Sequence, residues 1–131
     1  MVMNTSQKGN IAVAHAIPKL MEHYSAVLMP FGDAERYDLV VEDHKGLFYK
    51  VQVKMGRLRD GTVKASTQSR NAYSGSKRYE GEVDLFAIYC PDTKEVYLIS
   101  TTDIAGWDVT LSIDPPRNGQ TKKIRWAKDY V

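Results

Sequence analysis

Cysteine is nearly absent. Cys90 stands alone in 131 residues, which excludes an intrachain disulfide, a CxxC redox pair and a cysteine-built zinc site. Histidine is scarce too, and His15, His23 and His44 lack any metal-ligand spacing. No apolar run approaches the roughly 20 residues needed to cross a bilayer, and the N-terminus does not resemble a signal peptide. The chain therefore reads as soluble, without a membrane partner, in a reducing, cytoplasmic setting. A strong charge of one sign is also missing: 18 basic residues face 16 acidic ones, for a net charge of +2 and a pI near 8.6. Composition alone does not announce a polyanion as partner. The length suits one compact domain spanning residues 1–131 and is too small for separate catalytic and recognition domains.

What charge there is, is unevenly placed. From Lys54 to Glu80 seven basic residues (Lys54, Arg57, Arg59, Lys64, Arg70, Lys77, Arg78) meet two acidic ones (Asp60, Glu80), so the remainder is net negative. This segment is rich in hydroxyl, amide and glycine residues and reads as a basic irregular region, either a flexible connector or a loop that follows a phosphate backbone. Lys122, Lys123 and Arg125 form a second basic stretch beside Trp126, which reads as an anchor against the body.

Residues 6–24 read as a helix with Ile11, Ala14, Ile17 and Met21 on one stripe, capped by Thr5 or Ser6 and bent or split by Pro18. Short strands are expected at 27–29 and 96–99, and the apolar run 85–89 reads as a strand buried on both faces. Glu82 and Asp84, just before it, read as strand-edge charges. Helix, strands, a basic region, strands and a mixed tail favour an α/β fold, a sheet flanked by helices.

The most informative stretch is Arg36-Tyr37-Asp38-Leu39-Val40-Val41 with Tyr49-Lys50-Val51-Gln52-Val53-Lys54. Both runs alternate with period two, as half-buried strands do. If His44-Lys45-Gly46 is a three-residue hairpin loop, with Gly46 left-handed, Asp43 faces Leu47 and the register follows by counting. Tyr37 then meets Val53, Leu39 meets Val51 and Val41 meets Tyr49. A slip of one residue would break all three apolar matches. Asp38 falls opposite Gln52, with Lys54 two residues on. Carboxylate and amide oxygens are hard ligands suited to Mg²⁺, and a neighbouring ammonium suits the negative charge that builds up in phosphodiester hydrolysis. The bland alternative is that Lys50, Gln52 and Lys54 form the wet face of a strand, with Asp38 bonded to Lys54 for structure alone.

Tyr37-Asp38 followed by Gln52-Val53-Lys54 resembles the PD-(D/E)XK nuclease signature, in the variant with glutamine for the second acid. Lys8-Gly9-Asn10-Ile11-Ala12, the segments 81–91 and 96–99 and Asp114-Pro115-Pro116-Arg117-Asn118-Gly119-Gln120 extend the resemblance to the intron-associated homing endonuclease branch. A more distant similarity is to archaeal-type Holliday junction resolvases. The resemblance implies a restriction-endonuclease-like mixed central sheet, Asp38, Gln52 and Lys54 as catalytic residues, and Asp38, Gln52 and the Val53 carbonyl as ligands for Mg²⁺, with Mn²⁺ as a substitute. It also implies a phage or mobile-element source. One feature of the pattern is missing: the first-helix acid counted from Lys8 and Gly9 falls on Val13, which cannot bind a metal. Asn10, three residues earlier on nearly the same helix face, is either a contributor in its place or a solvated polar residue.

Arg57, Arg59, Lys64, Arg70, Lys77 and Arg78 are the candidate contacts to a nucleic-acid backbone, since guanidinium groups donate paired hydrogen bonds to phosphate. The expectation is a Mg²⁺-dependent DNA endonuclease acting on duplex or four-way junction as a homodimer or higher homo-oligomer, because one centre per chain cuts one strand. The alternatives are a Holliday junction resolvase and a nuclease-fold DNA-binding protein weakened by Val13 and Gln52.

Overall fold

The computed structural model describes residues 4–32, 36–71, 75–78, 83–104, 108–114 and 125–131, without the side chains of 68–71 and 75–78. One helix, α1 (Thr5–His23), opens it. Its cap lies one residue ahead of the expected Thr5 or Ser6. The Asn4 side chain accepts from the Gln7 N–H and the Gln7 side chain accepts from the Asn4 N–H, both at 2.9 Å, a reciprocal capping box. Pro18 does not split the helix, which runs unbroken to His23. The buried residues are Ala12, Ala16 and Leu20, one face at four-residue spacing. The expected stripe is therefore rotated by about one position: Ala14 is exposed and Met21 points to solvent, while Ile11 and Ile17 are only partly buried. Two alanines on the inner face let α1 lie close to the sheet.

That sheet has strands β1 (Ala26–Leu28), β2 (Leu39–Glu42), β3 (Phe48–Met55), β8 (Leu85–Cys90) and β9 (Glu95–Ser100), in the order β1-β2-β3-β8-β9. β3 and β8 run parallel and the other neighbours antiparallel, so the sheet is mixed. All six residues of β8 are buried, as its apolar composition requires of a strand covered on both faces. One face, with Leu39, Val41, Val51, Val53, Ala87 and Val96, packs under α1.

The segment expected to be irregular instead contains four strands: β4 (Arg57–Arg59), β5 (Thr62–Ser66), β6 (Gln68–Asn71) and β7 (Gly75–Arg78). β5 pairs with β4 and with β10 (Asp108–Ser112), and β6 pairs with β7. The three-stranded layer covers the second face of β8 and β9, with Val63, Ala65, Val109 and Leu111 against Phe86, Ile88, Tyr97 and Ile99. Burial of side chains of this size stabilises by roughly 1.5–3 kcal/mol each. A backbone bridge joins Trp126 to Ser112, whose N–H donates to the Arg125 carbonyl, and the side chains of this stretch that pack into the core are Ala127 and Tyr130. Lys122 and Lys123 lie outside the described residues. No helix among the described residues is long and apolar enough to cross a membrane.

Candidate active site

The site is built on the β2–β3 hairpin. Asp43 organises its turn: its side chain accepts from the Lys45 and Leu47 N–H groups at 2.9 and 3.0 Å and from the Tyr49 hydroxyl at 3.0 Å. Gly46 holds φ at +85°, the left-handed conformation that the loop demands. The Asp43 N–H donates to the Leu47 carbonyl, and Leu39 pairs with Val51 and Val41 with Tyr49. Two of the three expected apolar pairs are thus formed, in the expected register.

The third is not. Had the ladder continued, the Val53 N–H would meet the Tyr37 carbonyl. Instead it donates to Asp38 Oδ2 at 2.9 Å, while the Asp38 N–H donates to the Val51 carbonyl at 2.8 Å. The strand leaves regular pairing at Asp38, and the carboxylate substitutes for a main-chain acceptor. Asp38 is thereby pinned against β3 between Val51 and Val53.

Gln52 and Lys54 project from the face of β3 opposite Val51 and Val53, and both are half-buried. The Gln52 amide donates to the Val53 carbonyl at 3.4 Å, a weak contact. Burial pushes the Asp38 carboxyl above the usual carboxylate range, and the Val53 N–H and the charge of Lys54 offset that only in part. The expected opposition of Asp38 and Gln52 is therefore replaced by bonds of Asp38 with Val51 and Val53, while Lys54 stands near enough for its charge to act on the carboxyl.

Beside Asp38 lies an open cavity of about 430 Å³ between α1 and the start of β2, lined among others by Asn10, Val13, Met29, Gly32 and Tyr37 but not by Gln52, Val53 or Lys54. Val13 and Asn10 thus border the same space as Asp38, where the sequence pattern located them. Among the described residues there is no cluster of three or more His, Cys, Asp or Glu side chains, and Asp38 is the one acid among those that line this cavity. A hydrated divalent cation fits this donor set. A carboxylate strained towards protonation gains from a nearby positive charge, amide and carbonyl oxygens are hard donors, and the cavity has room for retained waters. The fit is that of one ion held by a single formal charge. Met29, Pro30 and Gly32 border this cavity without having been given a role at the site by sequence; their only signal was a position just ahead of the Asp38 strand.

The basic candidates divide. Arg57 pairs with Lys64 across β4 and β5, and Arg59 with Thr62, so all four share one outward face, continued on β10 by Thr110 and Ser112. Arg57, Arg59 and Lys64 are exposed there. Arg57 and Lys64, with Met55, Ser66 and Asp108, line a shallow cavity of about 240 Å³. Arg70, Lys77 and Arg78 lie on the β6–β7 hairpin, opposite Ser76, Ser69 and Gln68 respectively, and their side chains fall outside the description. Asp84 is a structural acid: its side chain accepts from the Lys50 N–H at 2.8 Å and fastens the start of β8 to β3. Glu82 lies outside the described residues.

Comparison with known proteins bears on the same residues. The family model described as PD-(D/E)XK endonuclease matches residues 3–131. Among solved structures, the fold is similar to that of a bacterial homing endonuclease, I-Ssp6803I, with a TM-score of 0.73 and 24% sequence identity, covering 98% of this chain and 88% of the other. Comparison with curated proteins finds no match.

Proposed function

Because this chain belongs to the PD-(D/E)XK endonuclease family, we propose that it is a divalent-metal-dependent DNA endonuclease of the homing type, with its centre at Asp38, Gln52 and Lys54. The observation that carries this reading is the pinned, half-buried Asp38 carboxylate, held by the Val53 N–H and near enough to Lys54 to feel its charge. A carboxylate with only a structural duty would gain nothing from being set beside an open cavity.

Asp38, through the oxygen not bonded to Val53, would hold Mg²⁺ together with the Gln52 amide oxygen and the second lone pair of the Val53 carbonyl, with Mn²⁺ as a substitute. When bound, the ion supplies Lewis-acid polarisation of a phosphate oxygen and lowers the pKa of a coordinated water. The remaining work falls to the chain. Lys54 directs its ammonium at the charge that develops on the phosphoryl oxygens, an interaction stronger in the transition state than in the ground state. Arg57, Arg59 and Lys64 position the DNA backbone from the outward face of β4 and β5, and Arg70, Lys77 and Arg78 extend the basic run along the next hairpin. Two centres are needed to cut a duplex, so the working form is a homodimer or a higher homo-oligomer.

A second reading is favoured by Val13. It borders the Asp38 cavity where an acid would bring a second negative charge, and its absence weakens a divalent site. On that reading the protein retains DNA binding and has lost most of its cleavage.

Incubation with supercoiled plasmid and with a synthetic four-way junction, with and without Mg²⁺ or Mn²⁺, separates these readings. The expected result is metal-dependent plasmid cleavage that falls by about 10²–10³-fold in Lys54→Ala, in line with the loss of one transition-state donor. Cutting confined to the junction identifies a resolvase. Binding of both substrates without cleavage establishes the weakened binder.

A further inference from the structure

The outward face of the three-stranded layer is polar, and its charge is graded from one edge strand to the other. Strand pairing lays Arg57, Lys64 and Thr110 side by side in one row and Arg59, Thr62 and Ser112 in the next, with Asp108 beside Ser66 on the far side of the first row. The alternate residues Val63, Ala65, Val109 and Leu111 point inward and are buried. Arg57, Arg59, Lys64, Asp108 and Thr110 are exposed. β4 thus presents two guanidinium groups and β5 one ammonium between hydroxyls, whereas β10 presents a carboxylate and hydroxyls without a cation. A phosphate backbone suits the β4 side and is repelled at Asp108. That carboxylate shares the shallow cavity of about 240 Å³ with Arg57 and Lys64, yet it forms no hydrogen bond or ion pair with any described residue, so neutralising those cations is not its duty.

We propose that the β5–β10 pair enters the major groove of duplex DNA, where Asp108 accepts a hydrogen bond from the amino group of a cytosine, while β4 rests on the phosphates at the rim. The inference deepens the proposed function and rests on its reading of DNA as the substrate. The major groove admits a two-stranded β-ribbon, and a cytosine presents there an amino donor that a carboxylate accepts. Neighbouring strands stand about 4.8 Å apart, so β4 lies about 10 Å from β10, far enough for one face to meet phosphate at one side and bases at the other. Phosphate contacts fix position without carrying sequence information, so selectivity falls to the groups that touch base edges. The Thr110 hydroxyl donates or accepts and favours no base, which leaves Asp108 as the discriminating group on β10. Adenine also offers an amino group, but its N7 acceptor stands beside it and repels the second carboxylate oxygen; the cytosine edge has no such neighbour.

Selection of bound duplexes from a pool of randomised base pairs, with the full chain in Ca²⁺, reads recognition apart from cleavage. The wild type is expected to enrich cytosine at one position of the bound site, and replacing that base is expected to weaken binding about 5-fold or more. Asp108→Asn is expected to move the preference at that position to adenine, whose N6 and N7 an amide pairs with bidentately. Asp108→Ala is expected to abolish the preference and to bind unrelated DNA at least as tightly as the wild type, since a negative charge has left the surface. A wild type without base preference overturns the proposal. So do Asp108 variants that enrich the same sequence as the wild type, or that shift all sequences alike, the result of a charge that only tunes attraction. A protein that selects cytosine through Asp108 but cuts no DNA leaves β10 as the reading strand and removes the nuclease reading. Metal-dependent cleavage with a preference indifferent to Asp108 does the reverse.

Discussion

At the scale of single residues, Asp38 is the group on which structure and chemistry disagree. Burial raises its pKa in the folded chain, so the ionised form is disfavoured there relative to the unfolded chain. Its contribution to stability is therefore whole in acid, below the unfolded value, and is lost as pH rises through the raised folded value. Asp38→Asn keeps an oxygen to accept from the Val53 N–H and removes that penalty. It is expected to raise the melting temperature of the metal-free protein at neutral pH, with the difference closing in acid, and to abolish cleavage. Thermal unfolding of both proteins across the pH range checks the first part, and the plasmid assay the second. Val13 is the complementary case. Val13→Glu brings a second carboxylate to the Asp38 cavity, so it is expected to tighten Mg²⁺ or Mn²⁺ binding on the order of ten-fold or more, because affinity follows ligand charge. Without metal it is expected to lower stability, since two carboxylates then share a partly buried space. Calorimetric titration and metal-free melting curves read the two effects separately.

At the scale of elements, the β2–β3 turn depends on Asp43. The Leu47 N–H is the largest of several influences that hold its carboxyl below the usual range, joined by the Lys45 N–H, the Tyr49 hydroxyl and the Lys45 charge. A lowered folded pKa makes this support present at neutral pH and lost as pH falls through the folded value. Asp43→Asn is expected to flatten the acid limb of the stability profile, measured by urea unfolding at successive pH values. The passage from β3 to β4 depends instead on space. A Cβ added at Gly56 would stand 2.8 Å from Ile88 Cγ2 and 3.1 Å from Val63 Cγ1, both in the core between the two sheets. Gly56→Ala is expected to cost about 1–3 kcal/mol in denaturant unfolding, the usual range for overpacking. The hairpin was legible from sequence because a glycine in the loop and period-two alternation specify one register between them. The Tyr37–Val53 pair was not, since nothing in the alternation says that a side chain will take the Val53 N–H from the main chain. The helix face was misread because Ala12 and Ala16 carry little hydrophobic weight beside Ile11 and Ile17, although close approach to a sheet favours the small residue. β4 to β7 escaped notice because they are short and polar, with a turn at Asp60-Gly61 between the first two, so neither apolar run nor long period marks them.

At the scale of the whole molecule, three exposed basic side chains, Arg57, Arg59 and Lys64, share one face of the β4–β5 layer. The β2–β3 pairing that brings Asp38 against β3 was readable as far as Leu39 and Val51, where the regular register ends. The surface that would present DNA to Asp38 was readable only as a basic segment; pairing of β4 with β5 is what sets Arg57, Arg59 and Lys64 on one outward face. With a net charge of only +2, the molecule as a whole attracts a polyanion weakly, so affinity must come from such local contacts. Each phosphate neutralised releases counterions and adds about 0.9 to the steepness with which the logarithm of the binding constant falls with the logarithm of salt. Arg57→Ala and Lys64→Ala are each expected to lower that slope by about 1, to weaken binding alike on unrelated DNA sequences, and to shift the double variant by the sum. Salt titrations of DNA affinity, in Ca²⁺ so that no strand is cut, measure the slopes. If both variants keep the wild-type slope, the outward face of β4 and β5 is not where the phosphates lie.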